Sequence, residues 1–178
     1  MIIDGLFSFS TPATPDNLAL AVGSYNSNNV IDLGLNGLPA SASGGGARDL
    51  GIGADPAIKL MVTVVTAFTS GGSATLQINF QGAVDNGLGA PGTWNTWYSS
   101  PAIAVANLTQ GQRLLDIDWP RPPANFATPR FARLQYVIGT AAMTTGALVS
   151  AGVLDRFDQP EGTTGALSGY PAGINIAN

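Results

Sequence analysis

From Ala74 to Gln81 the chain alternates without a break: Ala74, Leu76, Ile78 and Phe80 are apolar, and Thr75, Gln77, Asn79 and Gln81 between them are polar. Successive side chains of a β-strand point to opposite faces of a sheet, so a period of two commits this stretch to a strand with one dry and one wet face. Just upstream, Ile58 to Phe68 is a long run rich in Val and Thr. Ser70-Gly71-Gly72-Ser73 separates the two, a short Gly-containing loop of the kind that joins hairpin partners, and antiparallel pairing between them is the expectation. The other face of the earlier strand, Lys59, Met61, Thr63, Val65 and Ala67, is partly apolar as well, which predicts a central strand or one whose outer face is covered.

The same reading finds further short strands. Trp94 to Ser99 and Ala102 to Val105 are broken by Pro101, which cannot donate to a ladder. After a turn at 107–112, Arg113 to Trp119 alternates again, with Leu115, Ile117 and Trp119 on one side and Leu114, Asp116 and Asp118 on the other, until Pro120-Arg121-Pro122-Pro123 stops it. Phe131 to Gly139, Leu148 to Phe157, Ile3 to Phe9 and Val30 to Leu33 complete the set. About eight short strands between Gly- and Pro-rich turns predict an all-β, jelly-roll-like antiparallel sandwich. Its expected core holds Leu60, Val62, Val64, Leu76, Ile78, Phe80, Leu115, Ile117, Leu134, Tyr136 and Val153. Residues 1–157 read as one domain; Gly34 to Ala47 reads as a surface loop, and residues 158–178 as an extended Gly-rich arm.

Composition supports this and narrows the function. Among 178 residues there are 23 Gly and 12 Pro, with one Lys (Lys59) and one Glu (Glu161), whereas long helices usually cover their exposed faces with those two residues. Only 10% of the chain is charged, against about 25% in an ordinary globular domain. Such a surface is expected to be covered in part by a partner, and self-association as a dimer or trimer is the expectation. A net charge of -4 supplies no basic patch, which argues against nucleic acid as the partner. Met1 to Gly5 lacks the basic and apolar stretches of a signal peptide, and no segment stays apolar for the roughly 18 residues of a membrane span, so a cytoplasm is the expected place of assembly and no membrane the expected setting.

Catalysis is not expected. The chain has no His and no Cys, which removes imidazole and thiolate from the candidate bases, nucleophiles and metal ligands. Asp116 and Asp118 are the best carboxylate pair for glycoside or metal chemistry, but two acids two residues apart on a strand form a solvated face more simply. Asp85-Asn86-Gly87 reads as a turn because the remaining oxygens of a calcium loop do not follow. Gly44-Gly45-Gly46 has no Lys-Ser or Lys-Thr behind it to cradle a phosphate. No cofactor and no metal are expected. Arg121, Arg130 and Arg133, together with Trp94 and Trp97, are the candidate interface residues, since arginine forks and large aromatics dominate protein contacts.

Several segments, taken in order, resemble a known family. They are Met1-Ile2-Ile3-Asp4, Asn29-Val30-Ile31-Asp32-Leu33-Gly34, Arg48-Asp49-Leu50-Gly51-Ile52-Gly53, Gly71-Gly72-Ser73-Ala74-Thr75-Leu76, Arg130-Phe131-Ala132-Arg133-Leu134-Gln135-Tyr136-Val137 and Gly152-Val153-Leu154-Asp155. Their series is similar to that of tailed-phage capsid cement proteins of the Bordetella-phage type, over roughly residues 1 to 157. The resemblance implies a jelly-roll-like sandwich on the exterior of the virion. There it would bind the outer surface of an HK97-type capsid and bridge and stabilise neighbouring major capsid proteins. It brings no catalytic residues. A carbohydrate- or receptor-binding module of the same architecture is the alternative, for which Trp94 and Trp97 would have to share an exposed groove.

Overall fold

The computed structural model describes residues 2–33, 58–123 and 129–154. The expectations for Gly34 to Ala47 and for the tail after Asp158 lie outside the described residues. The strands are β1 (Ile2–Ser8), β2 (Asp16–Asn17), β3 (Gly23–Asn26), β4 (Ile31–Asp32), β5 (Ile58–Thr69), β6 (Thr75–Asp85), β7 (Pro91–Ser99), β8 (Ile103–Ala104), β9 (Arg113–Asp118), β10 (Phe131–Gly139) and β11 (Thr145–Leu154). One turn of 3-10 helix, Val105–Asn107, is the helical piece among the described residues.

These strands form two antiparallel sheets. The first runs β1-β11-β5-β9 with β2 alongside β11, and the second runs β3-β10-β6-β7 with β4 beside β10 and β8 beside β6. Setting aside the two-residue pieces, the eight remaining strands in chain order occupy places one, eight, three and six in one sheet and two, seven, four and five in the other. That interleaving is the jelly roll, in which every long connection but one crosses from sheet to sheet. As its partly apolar second face predicts, β5 is central, between β11 and β9.

The expected hairpin between β5 and β6 does not form. The two strands lie in opposite sheets, and residues 70–74 arch over the end of the sandwich. Leu60, Val62 and Val64 of β5 and Leu76, Ile78 and Phe80 of β6 are all buried in one core. Facing sheets bury both sets against each other, whereas a hairpin would place them on the same side of one sheet and leave both to be covered by something else. The arch is tied to the neighbouring crossover between β10 and β11: Ser70 Oγ donates to Ala142 O (2.6 Å) and Thr144 N to Thr69 O (2.8 Å). A short Gly-containing loop serves either geometry, so local sequence does not distinguish them.

Of the expected core, Leu60, Val62, Val64, Leu76, Ile78, Phe80, Leu115, Leu134 and Tyr136 are buried, and Ile117 packs against them half-buried. Val153 lies among side chains outside the described set. The centre of the core is aromatic. Trp119 stacks on Phe9 (ring centres 5.9 Å apart) and meets Phe80 edge-on at 5.1 Å, within the range at which ring quadrupoles attract.

A polar seam joins the sheets where the segment after β1 crosses between them. Asp16 is 2% exposed. Its Oδ2 accepts from Tyr136 Oη (2.6 Å) and its Oδ1 from the Asn28 N–H (2.7 Å), while Ser150 Oγ reaches Oδ2 at 3.5 Å. Ser10 Oγ lies 3.2 Å from Ser150 Oγ and accepts from the Ser150 N–H. Burial pushes the Asp16 carboxyl above its ordinary value and outweighs the hydrogen bonds that oppose it. Burial first, then the Asp16 charge, hold the Tyr136 phenol well above its own.

Two outcomes follow from this packing. Ile78→Ala removes a side chain from the middle of a central strand and is expected to cost about 2–5 kcal/mol in chemical denaturation; a cost under about 1 kcal/mol contradicts the central placement. Because the folded carboxyl of Asp16 holds its proton more tightly than the unfolded one, its contribution is full below the ordinary carboxyl value of 3.8 and is lost as pH rises through the raised folded value. The stability of the wild type relative to Asp16→Asn should therefore fall as pH rises above the ordinary carboxyl value of 3.8. Urea titrations giving a constant difference across that rise contradict the raised value.

Candidate interaction face

The outer face of the second sheet is built from the polar positions of the alternation. In the register of β6 with β10, Gln81 pairs with Arg133 and Asn79 with Gln135, and all four side chains point away from the core. They form one network. Asn79 Nδ2 and Gln81 Nε2 both donate to Gln135 Oε1 (3.2 Å each), Gln81 Nε2 also reaches Thr96 Oγ1 on β7 (3.1 Å), and Arg133 Nε donates to Gln81 Oε1 (2.8 Å). Gln81 is only 7% exposed although it faces outward, because Arg133 and its neighbours cover it. The Arg133 guanidinium lies 4.2 Å from the centre of the Trp94 ring, a cation–π stack across the β6 strand between them.

At the end of the same face, Arg130 gathers three segments. Its Nε and Nη2 reach the two oxygens of Asp32 on β4 (3.0 and 2.9 Å), and its Nη1 donates to Asp85 at the base of the β6–β7 hairpin. The hydrogen bonds to Asp32 and then Asp85 hold the guanidinium above its ordinary value. Partial desolvation pushes the Asp85 carboxyl up, but bonds from Arg130 and from the Gly87 and Gly89 N–H groups outweigh it and the net direction is down. The contribution of Asp85 is thus present above the ordinary carboxyl range and lost on acidification, opposite in sign to that of Asp16. Asp85-Asn86-Gly87 is the turn expected from its sequence: Asp85 Oδ1 accepts from Gly87 N (2.8 Å) and Gly89 N (3.0 Å).

The two tryptophans part company. In the β6–β7 ladder Phe80 faces Tyr98 and Gln81 faces Thr96, so Trp97 is an extra residue in a bulge. The bulge turns it inward. Its ring packs on Phe80 with centres 5.6 Å apart and lies over Gly82, while Trp94 stays on the outer face under Arg133. The aromatic groove required by the carbohydrate alternative is not assembled from these two residues.

The sequence model of the Bbp16 family matches residues 19–153. This chain belongs to the Bbp16 family. It is a family of Bordetella phage proteins, and the match bears out the phage-type resemblance. No curated protein matches the chain. The matched span runs from just before β3 almost to the end of β11 and so contains both sheets' central strands and the whole outer network.

Within this Bbp16-family chain the five candidate residues divide. Arg133 and Trp94 meet, Arg130 lies at the end of their sheet in an ion-pair cluster, Trp97 belongs to the core side, and Arg121 is exposed in the Pro-rich segment after β9 with no part in the network. Asp116 and Asp118 are exposed on β9, at the edge of the first sheet, where Asp116 pairs with Arg113 at 2.6 Å. No group of three metal-ligating side chains occurs among the described residues. The amide partners Asn79, Gln81 and Gln135 were not among the candidates. Their signal was present in the alternation of β6 and in the Arg133-x-Gln135 spacing of β10, but which strands were neighbours was not.

The bulge supplies a test of this geometry. A Cβ at Gly82 would fall inside the Trp97 ring, so Gly82→Ala is expected to cost about 1–3 kcal/mol of stability by overpacking. Adding Trp97→Leu to the same chain should recover part of it. A neutral Gly82→Ala in thermal or urea unfolding places the ring elsewhere.

Proposed function

We propose that this chain is a non-enzymatic structural protein of the virion that binds the outer surface of an HK97-type phage capsid and bridges and stabilises neighbouring major capsid proteins. Membership of the Bbp16 family is the observation that carries the reading. Three features support it. The fold is a jelly roll, the architecture that the resemblance implies. Its charged fraction of 10% suits a surface that works against other protein surfaces rather than against water. The outer face of the second sheet offers neutral amides, one stacked arginine and one tryptophan, the residue types enriched at protein contacts. The partners in this reading are the major capsid protein and a second or third copy of the chain, with no nucleic acid, membrane or cofactor. Separation of Trp94 from Trp97 takes away the feature that favoured sugar binding.

A protein that binds assembled shell subunits and not free ones stabilises the assembled state by about RT ln(1 + [L]/Kd) at each site, and many sites act on one particle. Capsids made without it should assemble, yet release DNA at a lower temperature and under milder osmotic shock than complete ones, and added purified protein should restore their resistance. Identical melting and DNA retention with and without the protein overturn the cement role.

A further inference from the structure

Most positive side chains described in this chain already have a negative neighbour. Arg113 pairs with Asp116 and Arg130 with Asp32 and Asp85, and Lys59 lies opposite Asp118 in the β5–β9 register. Arg133 differs. It has no ion pair with any described carboxylate, yet it is half-buried rather than released into water, and burial alone acts on its charge, lowering its pKa. Its plane is set by the Trp94 ring at 4.2 Å and its rotation by the bond from Nε to Gln81 Oε1. Gln81 is in turn held by Gln135 and Thr96. With Nε occupied, the two Nη groups form the remaining end of the fork, which matches a carboxylate through two parallel N–H···O bonds.

A guanidinium that is part-desolvated, oriented from two sides and unmatched by any described carboxylate is arranged as the receiving half of an ion pair. We propose that Arg133, stacked on Trp94 and tethered by Gln81, is a preformed socket for an Asp or Glu side chain of the shell protein. The inference rests on the capsid-binding reading and names the contact through which that binding is oriented. Charge complementarity selects the occupant: a net charge of -4 supplies no basic patch for a run of phosphates, and a single guanidinium fork suits a single carboxylate.

The test uses phage particles stripped of the protein and the full chain. Binding of the wild type is measured first, and its absence sinks the capsid reading itself. With wild-type binding in hand, Arg133→Gln is expected to bind at least about tenfold more weakly and Arg133→Lys to fall between, because an ammonium keeps the charge and loses the fork. Arg113→Gln, which removes the same charge from the edge of the other sheet, should bind as the wild type does. Unfolding midpoints equal to that of the wild type exclude damage to the fold. Carbodiimide treatment of saturated complexes of the Arg133→Lys variant should join position 133 to an acidic residue of the shell protein, identified by mass spectrometry. Wild-type affinity in Arg133→Gln, or complexes that cross-link elsewhere and never at position 133, overturn the socket while leaving the capsid reading standing.

Discussion

The pairing of β6 with β10 sets the rest of the molecule. Nine consecutive residue pairs, from Phe131 with Ala83 to Gly139 with Thr75, run without a register shift. That register turns Leu76, Ile78 and Phe80 together with Leu134, Tyr136 and Ile138 toward the first sheet. It also lines Gln81 with Arg133 and Asn79 with Gln135 on the other side. A slip of one residue turns the displaced strand over: if β6 moves, Gln77, Asn79 and Gln81 enter the aromatic core and Leu76, Ile78 and Phe80 are set in water. The core and the outer polar network are therefore two sides of one constraint, and neither can be altered by register without destroying the other.

Around that pair, polar groups pin the irregular segments. Asp16 stands at the crossing between sheets, where Tyr136 from one sheet and Ser150 from the other converge on its carboxylate. Bonds of this kind contribute little net energy each, but a buried acceptor without donors costs more than a bond gains, so the network selects one path for the crossing segment. Arg130 does the same at the surface, joining β4, the base of the β6–β7 hairpin and the start of β10. Asp32 stays exposed and Arg130 and Asp85 are only part-buried, so water still screens these ion pairs and they act on geometry more than on stability. Beyond them the hairpin tip carries Leu88, 89% exposed, on a turn whose shape is fixed from within by Asp85 and Asn86.

Charge is sparse in this chain, and its distribution is uneven. The β9 edge of the first sheet carries Arg113, Asp116 and Asp118, the familiar protection of an unpaired strand against other edges. The β7 edge of the second sheet, nine residues from Pro91 to Ser99, carries none, and its protection comes from the starting proline and the bulge at Trp97. The less charged edge adjoins the amide network and the Arg133–Trp94 stack. In the proposed role this is the side of the sandwich suited to lie against another protein, and the charged edge the side suited to face water.

Alternation along β6, β9 and β10 was enough to place six of the expected core residues and the class of fold, because a period of two encodes the face of a strand without reference to any distant residue. It was not enough to find β3, whose four residues are too few to show a period, or the burial of Phe9 and Leu18, which stand outside any alternating run. Strand partners were beyond its reach: the 70–74 loop reads as a hairpin turn and is an arch, because what decides is the burial of two apolar faces against each other across the sandwich. The same holds for the candidate residues. Their chemistry was set by the chain itself, an arginine's fork and a tryptophan's face, whereas tertiary structure decided that Arg133 meets Trp94, that Arg130 is consumed by Asp32 and Asp85, and that a one-residue bulge sends Trp97 into the core. Those outcomes depend on residues up to 98 positions apart along the chain, brought together by registers that local pattern does not contain.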